Sequence, residues 1–345
     1  MKIILDAMGG DNAPQAPVMG AIAAAKDFGA QITLVGRGEE ILKVLKDNGI
    51  HDLPQGITVT DAEEVVDMHD DPANVIRKKK NSSLVVGLRM LAEEQGDAFI
   101  CAGSTGALLS GATLIVKRVK GIRRAAMGPC IPNKAGGKTM LLDCGANAEC
   151  TPEFLLQFGL VGSLYMKKQG IENPRVGLLN IGSEDTKGTP LQKEAYALLT
   201  KAAEQGLINF IGNVEGREAL MGGVDVVVCD GFSGNVMLKT IEGTAYFMGS
   251  LMKHKIFKRN FLSKIGYLFC KKGVDEVMKM MDYREIGGTQ FLGIKKPVIK
   301  AHGSSDALAF RNAVRQAMDA AEADFSAELE EGLKQLAAVE ETAND

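Results

Sequence analysis

Apolar residues gather in short, nearly unbroken runs that alternate with longer stretches of helical periodicity. The runs at 2–6, 31–35, 57–60, 98–101, 138–143, 175–180, 208–212, 224–230 and 297–301 predict strands. Several are apolar almost throughout, as strands are when helices cover both faces. Helices are predicted over 16–28, 39–48, 84–94, 107–116, 153–168, 191–204 and 305–323. Strand–helix alternation of this length predicts a doubly wound α/β architecture, a largely parallel sheet in a three-layer sandwich. The expected layout is one α/β domain over 1–325 and an acidic tail over 326–345, helical or frayed. Two stretches break the pattern. Residues 243–282 read as a basic helical excursion, and the glycine-rich 284–296 as a small excursion from the sheet.

Composition narrows the class. The 345 residues are 46% apolar and 24% charged, with a net charge of −3. That balance gives no whole-molecule case for nucleic-acid binding, so any basic site is local. Cys101, Cys130, Cys144, Cys150, Cys229 and Cys270 form no Cys-x-x-Cys pair, and a chain this long needs no disulfide staples. A reduced, cytoplasmic setting is expected. Asp6 comes too early for a signal peptide, and no run of about 18 apolar residues predicts a membrane span. His, Asp and Met show no metal-ligand spacing, and no cofactor is expected.

In open α/β sheets ligands bind beyond the carboxyl ends of the strands. Six such ends carry glycine with polar neighbours: 6–14, 102–107, 144–147, 181–188, 231–235 and 302–306. Glycine lets backbone N–H groups approach an anion, helix N-termini favour it, and hydroxyls add donors. Gly9, Gly10, Asn12, Gly103, Ser104, Thr105, Gly106, Gly145, Gly182, Gly234, Ser304 and Ser305 are therefore the candidate phosphate and substrate contacts. Each loop taken alone also reads as an ordinary strand–helix turn. Neither the dinucleotide Gly-x-Gly-x-x-Gly pattern nor the P-loop pattern is present; Gly136-Gly137-Lys138-Thr139 precedes a strand, not a helix.

Taken as a set, the loops resemble the bacterial phosphate acyltransferase family of phospholipid synthesis. The likeness runs in order from Met1 to about residue 325, and the opening Asp6-Ala7-Met8-Gly9-Gly10-Asp11-Asn12-Ala13-Pro14 is its most specific part. The resemblance implies a fold like that of phosphotransacetylase and the isocitrate dehydrogenase group, in a homodimer. It implies that an acyl group moves from acyl carrier protein to inorganic phosphate, giving acyl phosphate for phospholipid synthesis. Two other readings stay open: a phosphotransacetylase-type enzyme using acyl-coenzyme A, and a non-enzymatic phosphate-sensing module recruited to membranes.

Acyl transfer to phosphate needs an aimed nucleophile, donors for the oxyanion and a proton or positive field for the leaving thiol. Lys187 is the first candidate, with an exposed lysine paired to Glu184 or Asp185 as the plain alternative. His302 can donate to the oxyanion or the thiolate, or simply cap the next helix. Asn147 and Asn235 can orient the carbonyl, or serve as turn residues. Cys101 and Cys144 adjoin hydrophobic strands without a neighbouring histidine, so direct attack without a covalent acyl-enzyme is expected.

Two basic segments suggest partners. Arg77, Lys78, Lys79 and Lys80 offer a contact for the acidic carrier protein, or a solvated face. Between 243 and 274 there is no Asp or Glu. There Phe257, Phe261, Ile265 and Leu268 are predicted to share a helical face widened by Leu262, with Lys258 and Arg259 beside it. Such a face suits an anionic membrane surface, and hence peripheral association and hand-over to a membrane glycerol-phosphate acyltransferase; it equally suits a subunit interface.

Overall fold

A computed structural model describes residues 1–67, 69–280 and 282–341. Twelve strands are present among them: β1 (Lys2–Asp6), β2 (Gln31–Gly36), β3 (Ile57–Asp61), β4 (Ala98–Cys101), β5 (Ala126–Met127), β6 (Cys130–Pro132), β7 (Lys138–Leu142), β8 (Arg175–Leu179), β9 (Asn209–Val214), β10 (Val226–Val228), β11 (Gly288–Leu292) and β12 (Val298–Ala301). They form two sheets, ordered β3-β2-β1-β4-β12-β11-β5 and β6-β7-β10-β8-β9. Neighbours pair in parallel except around β11 and at β6–β7.

Alternation along the strands explains the layers. Ile3, Leu5, Ala98 and Ile100 face one core with helices Gln15–Phe28 and Ala307–Glu322, including Phe310. Ile4 and Phe99 face the opposite core, with Leu84, Leu88 and Leu108. The second sheet repeats this. Met140, Leu142, Val226 and Val228 pack on helices Pro152–Lys168 and Pro190–Glu204, whereas Leu141 and Val227 face Leu238 and Ile241. Strands buried on both faces read as continuous apolar runs, which is why they are visible in sequence.

The pattern differs from expectation in three places. The chain passes from sheet to sheet through β5 and β6, two and three residues long, too short to show periodicity. Leu141 N–H donates to Pro129 O and Cys144 N–H to Met127 O, so this crossing joins the sheets at β7. Residues 288–292 are not an excursion but an antiparallel strand of the larger sheet, with Phe291 and Leu292 buried. Finally, the tail is helical over Ser326–Glu341 and packs onto the domain expected to end at 325. Leu329, Leu333 and Leu336 are buried in the core that holds Leu155 and Leu160. Residues 342–345 of the expected tail lie outside the described residues.

The basic excursion is helical. Helix Gly231–Leu251 runs on through a wide turn, Met252–Phe257, and helix Phe261–Met280 returns. Gly234 is the last residue of this segment to be buried before residue 280.

Candidate active site

Five segments from the two sheets enclose a cavity of about 490 Å³: 102–105, 127–132, 144–145, 286–289 and 300–303, with helix Gly231–Leu251 along one side. Asn235, Leu238, Lys239, Ile241, Glu242 and Ala245 all line it, a helical stripe. Pro129, Ile131, Leu238, Ile241 and Ile286 make much of its wall apolar. The polar groups gather where Gly103, Thr105, Gly145, Asn235, Lys300 and His302 meet.

Each polar group is held by local chemistry. Asp6 is buried at the end of β1. It accepts from Met8 N–H at 3.0 Å and from the Cys101 thiol at 3.1 Å, tying β1 to β4. Burial pushes the Asp6 carboxyl above the usual range against those donors. Gly9 is required here, because a Cβ would lie 2.8 Å from Gly103 N and 2.9 Å from Asp6 Oδ2. Asp143 does the same work in the second sheet. It accepts from Met127 N–H at 2.8 Å, Ala146 N–H at 3.2 Å and Asn147 N–H at 2.6 Å; here too burial raises the pKa. A Cβ on Gly234 would fall 2.0 Å from Asp143 O, so glycine lets helix Gly231–Leu251 start against that loop and bring Asn235 to the cavity.

Lys300 is the part-buried cation of the site. Its ammonium donates to Ala102 O at 3.1 Å and to Ala301 O, and among the described residues no carboxylate pairs with it. Burial lowers its pKa from the ordinary lysine value. The charges of Cys101 and Asp11 oppose that shift. His302 is also pushed down, by burial first and then by Lys239. Its Nδ1 lies 2.8 Å from Ser304 Oγ and 3.3 Å from Ser304 N. With Ser304 N–H donating to Nδ1, the neutral imidazole carries its proton on Nε2, as a donor. Lys239 is paired with Glu242 at 2.7 Å.

Several expected contacts take other roles. Gly9, Gly10 and Asn12 stand behind the wall; Asn12 Nδ2 donates to Ser304 O at 3.1 Å and Ser305 O at 3.2 Å, pinning the loop that carries His302. Ser104 caps its helix by accepting from Ala107 N–H, Gly106 packs at Pro72, and Ser305 is buried outside the wall. Asn147 lies outside the cavity lining, and its amide donates to Ala125 O at 2.8 Å and Asp143 Oδ2 at 3.0 Å. Lys187 and Gly182 are on the loop after β8, one strand from the Asn235 loop, and neither lines the cavity. Lys187 is exposed and, among the described residues, pairs with neither Glu184 nor Asp185.

The partner segments also change. Lys79 Nζ reaches Asp70 Oδ2 at 2.5 Å and Val65 O at 2.9 Å, so it holds the chain together and only Arg77, Lys78 and Lys80 remain exposed. Phe257 does not share a helix with Phe261. Asn260 accepts from Ser263 N–H at 2.8 Å and starts a new helix, and Phe257 folds onto Tyr267 with ring centroids 4.7 Å apart. Phe261, Leu262, Ile265 and Leu268 do project from one helix, Phe261 being 75% exposed and Leu268 69%.

Sequence reading missed Lys300 as a site residue, and missed the apolar wall. The stripe 235, 238, 241, 242, 245 was a usable signal for the wall. Lys300 has none in sequence, since its burial depends on β4 and the 302–305 loop.

Known structures share the architecture. A phosphotransacetylase from Streptococcus pyogenes superposes with a TM-score of 0.59 at 18% identity over 94% of each chain. A branched-chain phosphotransacylase from Enterococcus faecalis gives 0.58 at 15%, over 93% of this chain and 99% of its own. At such identities the likeness is one of fold. Sequence relatives carry more. A phosphate acyltransferase from Thermoanaerobacterium thermosaccharolyticum is 45% identical over 325 residues, 94% of each chain. Another, from Desulfitobacterium hafniense, is 45% identical over 343 residues, 99% of this chain and all of its own. A family model described as "Fatty acid synthesis protein" matches residues 1–328. Identity of this depth over nearly the whole chain makes it a member of the phosphate acyltransferase family and an acyltransferase enzyme.

Proposed function

We propose that this acyltransferase moves a fatty acyl group from acyl carrier protein to inorganic phosphate, releasing acyl phosphate and the free carrier thiol. One observation carries the reading: an apolar cavity ends in a cluster of N–H, hydroxyl and ammonium groups. The acyl chain lies along Leu238, Ile241 and Ile286. Phosphate sits at Lys300, Gly103 and Thr105, where a dianion supplies the counter-charge that the part-buried ammonium lacks. A phosphate oxygen attacks the thioester carbon, forming the C–O bond. The developing oxyanion takes hydrogen bonds from Asn235 Nδ2 and His302 Nε2. The C–S bond then breaks, and the leaving thiolate takes a proton from solvent. Lys187, on the adjacent loop, adds positive field. No acyl-enzyme forms, because burial pushes the Cys101 and Cys144 thiols well above the ordinary range and leaves them inert.

The test compares acyl carrier protein and coenzyme A thioesters of one chain length, with hydroxylamine trapping the product. Hydroxamate is expected with carrier and phosphate together. Equal kcat/KM for the coenzyme A thioester favours the phosphotransacetylase reading instead.

The helical arm supports the rest of the proposal. Its exposed Phe261, Leu262, Ile265, Leu268 and Phe269, with Lys258, Arg259 and Lys264 beside them, fit an anionic membrane surface. There the enzyme, cytoplasmic and peripherally bound, hands acyl phosphate to a membrane glycerol-phosphate acyltransferase; a homodimer presents two such arms. Wild-type protein is expected to sediment with anionic liposomes at low salt and less at high salt. Phe261→Asp is expected to abolish sedimentation and spare activity in solution. Failure of the wild type to sediment assigns the face to a protein partner.

A further inference from the structure

A second cavity, about 320 Å³, opens on the far side of the 143–147 loop. Its wall holds Arg118, Arg124, Ser110, Thr113 and Asn147, with Leu109 and Leu114 between them. The two cavities share their partition. Gly145 lines the first and Ala146 the second, which are neighbours in the chain, about 3.8 Å apart at Cα. Thr105 lines the first, and Leu109, one helical turn later, lines the second.

The arginines are placed and uncompensated. The main chain of Arg118 bridges Ile294, and its guanidinium donates to Arg123 O. The Arg124 guanidinium lies 5.8 Å from the centroid of the Phe154 ring. Among the described residues neither pairs with a carboxylate, whereas Arg123 meets Glu153 at 3.8 Å. Around them, five of the eight residues 117–124 are Lys or Arg and none is acidic, in a chain of net charge −3. Ala73 is also in the wall, so the segment carrying the exposed Arg77, Lys78 and Lys80 adjoins the same cavity.

We propose that this second cavity binds the phosphate ester on the arm of the thioester donor. The proposal rests on the acyl-transfer reading above and names the part of the donor that reading left unplaced. Two guanidinium forks with hydroxyls between them suit a phosphate ester, which they hold through paired N–H donors. The apolar Leu109 and Leu114 suit the aliphatic part of the arm. The acidic carrier protein docks over Lys117, Lys120 and the exposed Arg77, Lys78 and Lys80, and its arm crosses the partition to bring the thioester to Asn235 and His302. Inorganic phosphate does not occupy this cavity, since Lys300 and Gly103 serve it on the reacting side.

The test is a binding titration with Arg124→Gln and Arg118→Gln, using acyl carrier protein with its phosphate-bearing arm and carrier lacking the arm. Each variant is expected to weaken the arm-bearing carrier about tenfold, the scale of one charge-assisted hydrogen bond. Carrier without the arm should bind wild type and variants alike, the KM for inorganic phosphate should not move, and Arg124→Lys should recover part of the loss. An equal loss with both carriers reduces the segment to a charged docking face and overturns the site. A raised KM for inorganic phosphate overturns it as well, by making this the reactant's pocket, and so does binding that does not change. The titration needs no turnover, so absence of acyl phosphate formation by wild-type protein sinks the reaction proposed above and leaves this test standing.

Discussion

Lys300→Met is expected to lower kcat/KM for phosphate by on the order of a thousandfold, the upper range for removing one preorganised donor. The fold is expected to survive. The part-buried ammonium is held by two main-chain carbonyls and, among the described residues, pairs with no carboxylate. An arrangement of this kind is poor stabilisation and good anion binding: replacing a buried charge with an apolar side chain of similar length is often neutral or stabilising. The melting temperature of Lys300→Met should therefore equal or exceed that of wild type at neutral pH. The sign with pH follows. Burial depresses the Lys300 pKa below 10.5, so the charged form weighs on the native state at neutral pH. That burden lifts as pH rises through the depressed value toward 10.5, and the gap in melting temperature should narrow. Phosphate titrations of trapped product and thermal melts measure both effects. A variant with unchanged kcat and phosphate KM removes Lys300 from the mechanism.

Lys187→Ala is expected to lower kcat about a hundredfold, with the KM values little changed. Lys187 does not line the cavity of the free protein, yet it is the cation of the neighbouring strand-end loop. That loop is held by Asn180 Nδ2 donating to Lys187 O at 3.1 Å and Asn213 Nδ2 to Glu184 O at 2.7 Å. A defect confined to KM for the carrier assigns Lys187 to donor docking, and normal turnover excludes it from the chemistry.

The strands were legible because they are buried on both faces, so their apolar runs do not depend on knowing the partner. The division into two sheets was not. It turns on β5 and β6, whose five residues carry no period of their own. The strand-end loops were identifiable from glycine and hydroxyl content, but that content does not distinguish a cavity wall from its support. Gly103 and Gly145 line the cavity, while Gly9 and Asn12 hold the wall from behind. Asn147, a carbonyl-orienting or turn residue in sequence, and Lys79, a docking or solvated one, are committed to Asp143 and Asp70, contacts that only folding creates. Lys300 is the converse: an ordinary lysine in sequence, made a site residue by the loop packed over it.

The proposed reaction is direct attack by phosphate on a carrier-bound thioester in the cavity between the two sheets. A single-turnover experiment with excess enzyme, acyl carrier protein thioester and rapid quenching tests it most directly, with protein mass and hydroxylamine-trapped product read from the same samples. The account predicts acyl phosphate only when inorganic phosphate is present, and no change in protein mass at any time. A stoichiometric acyl adduct on the enzyme that forms without phosphate and is discharged by it would contradict the account.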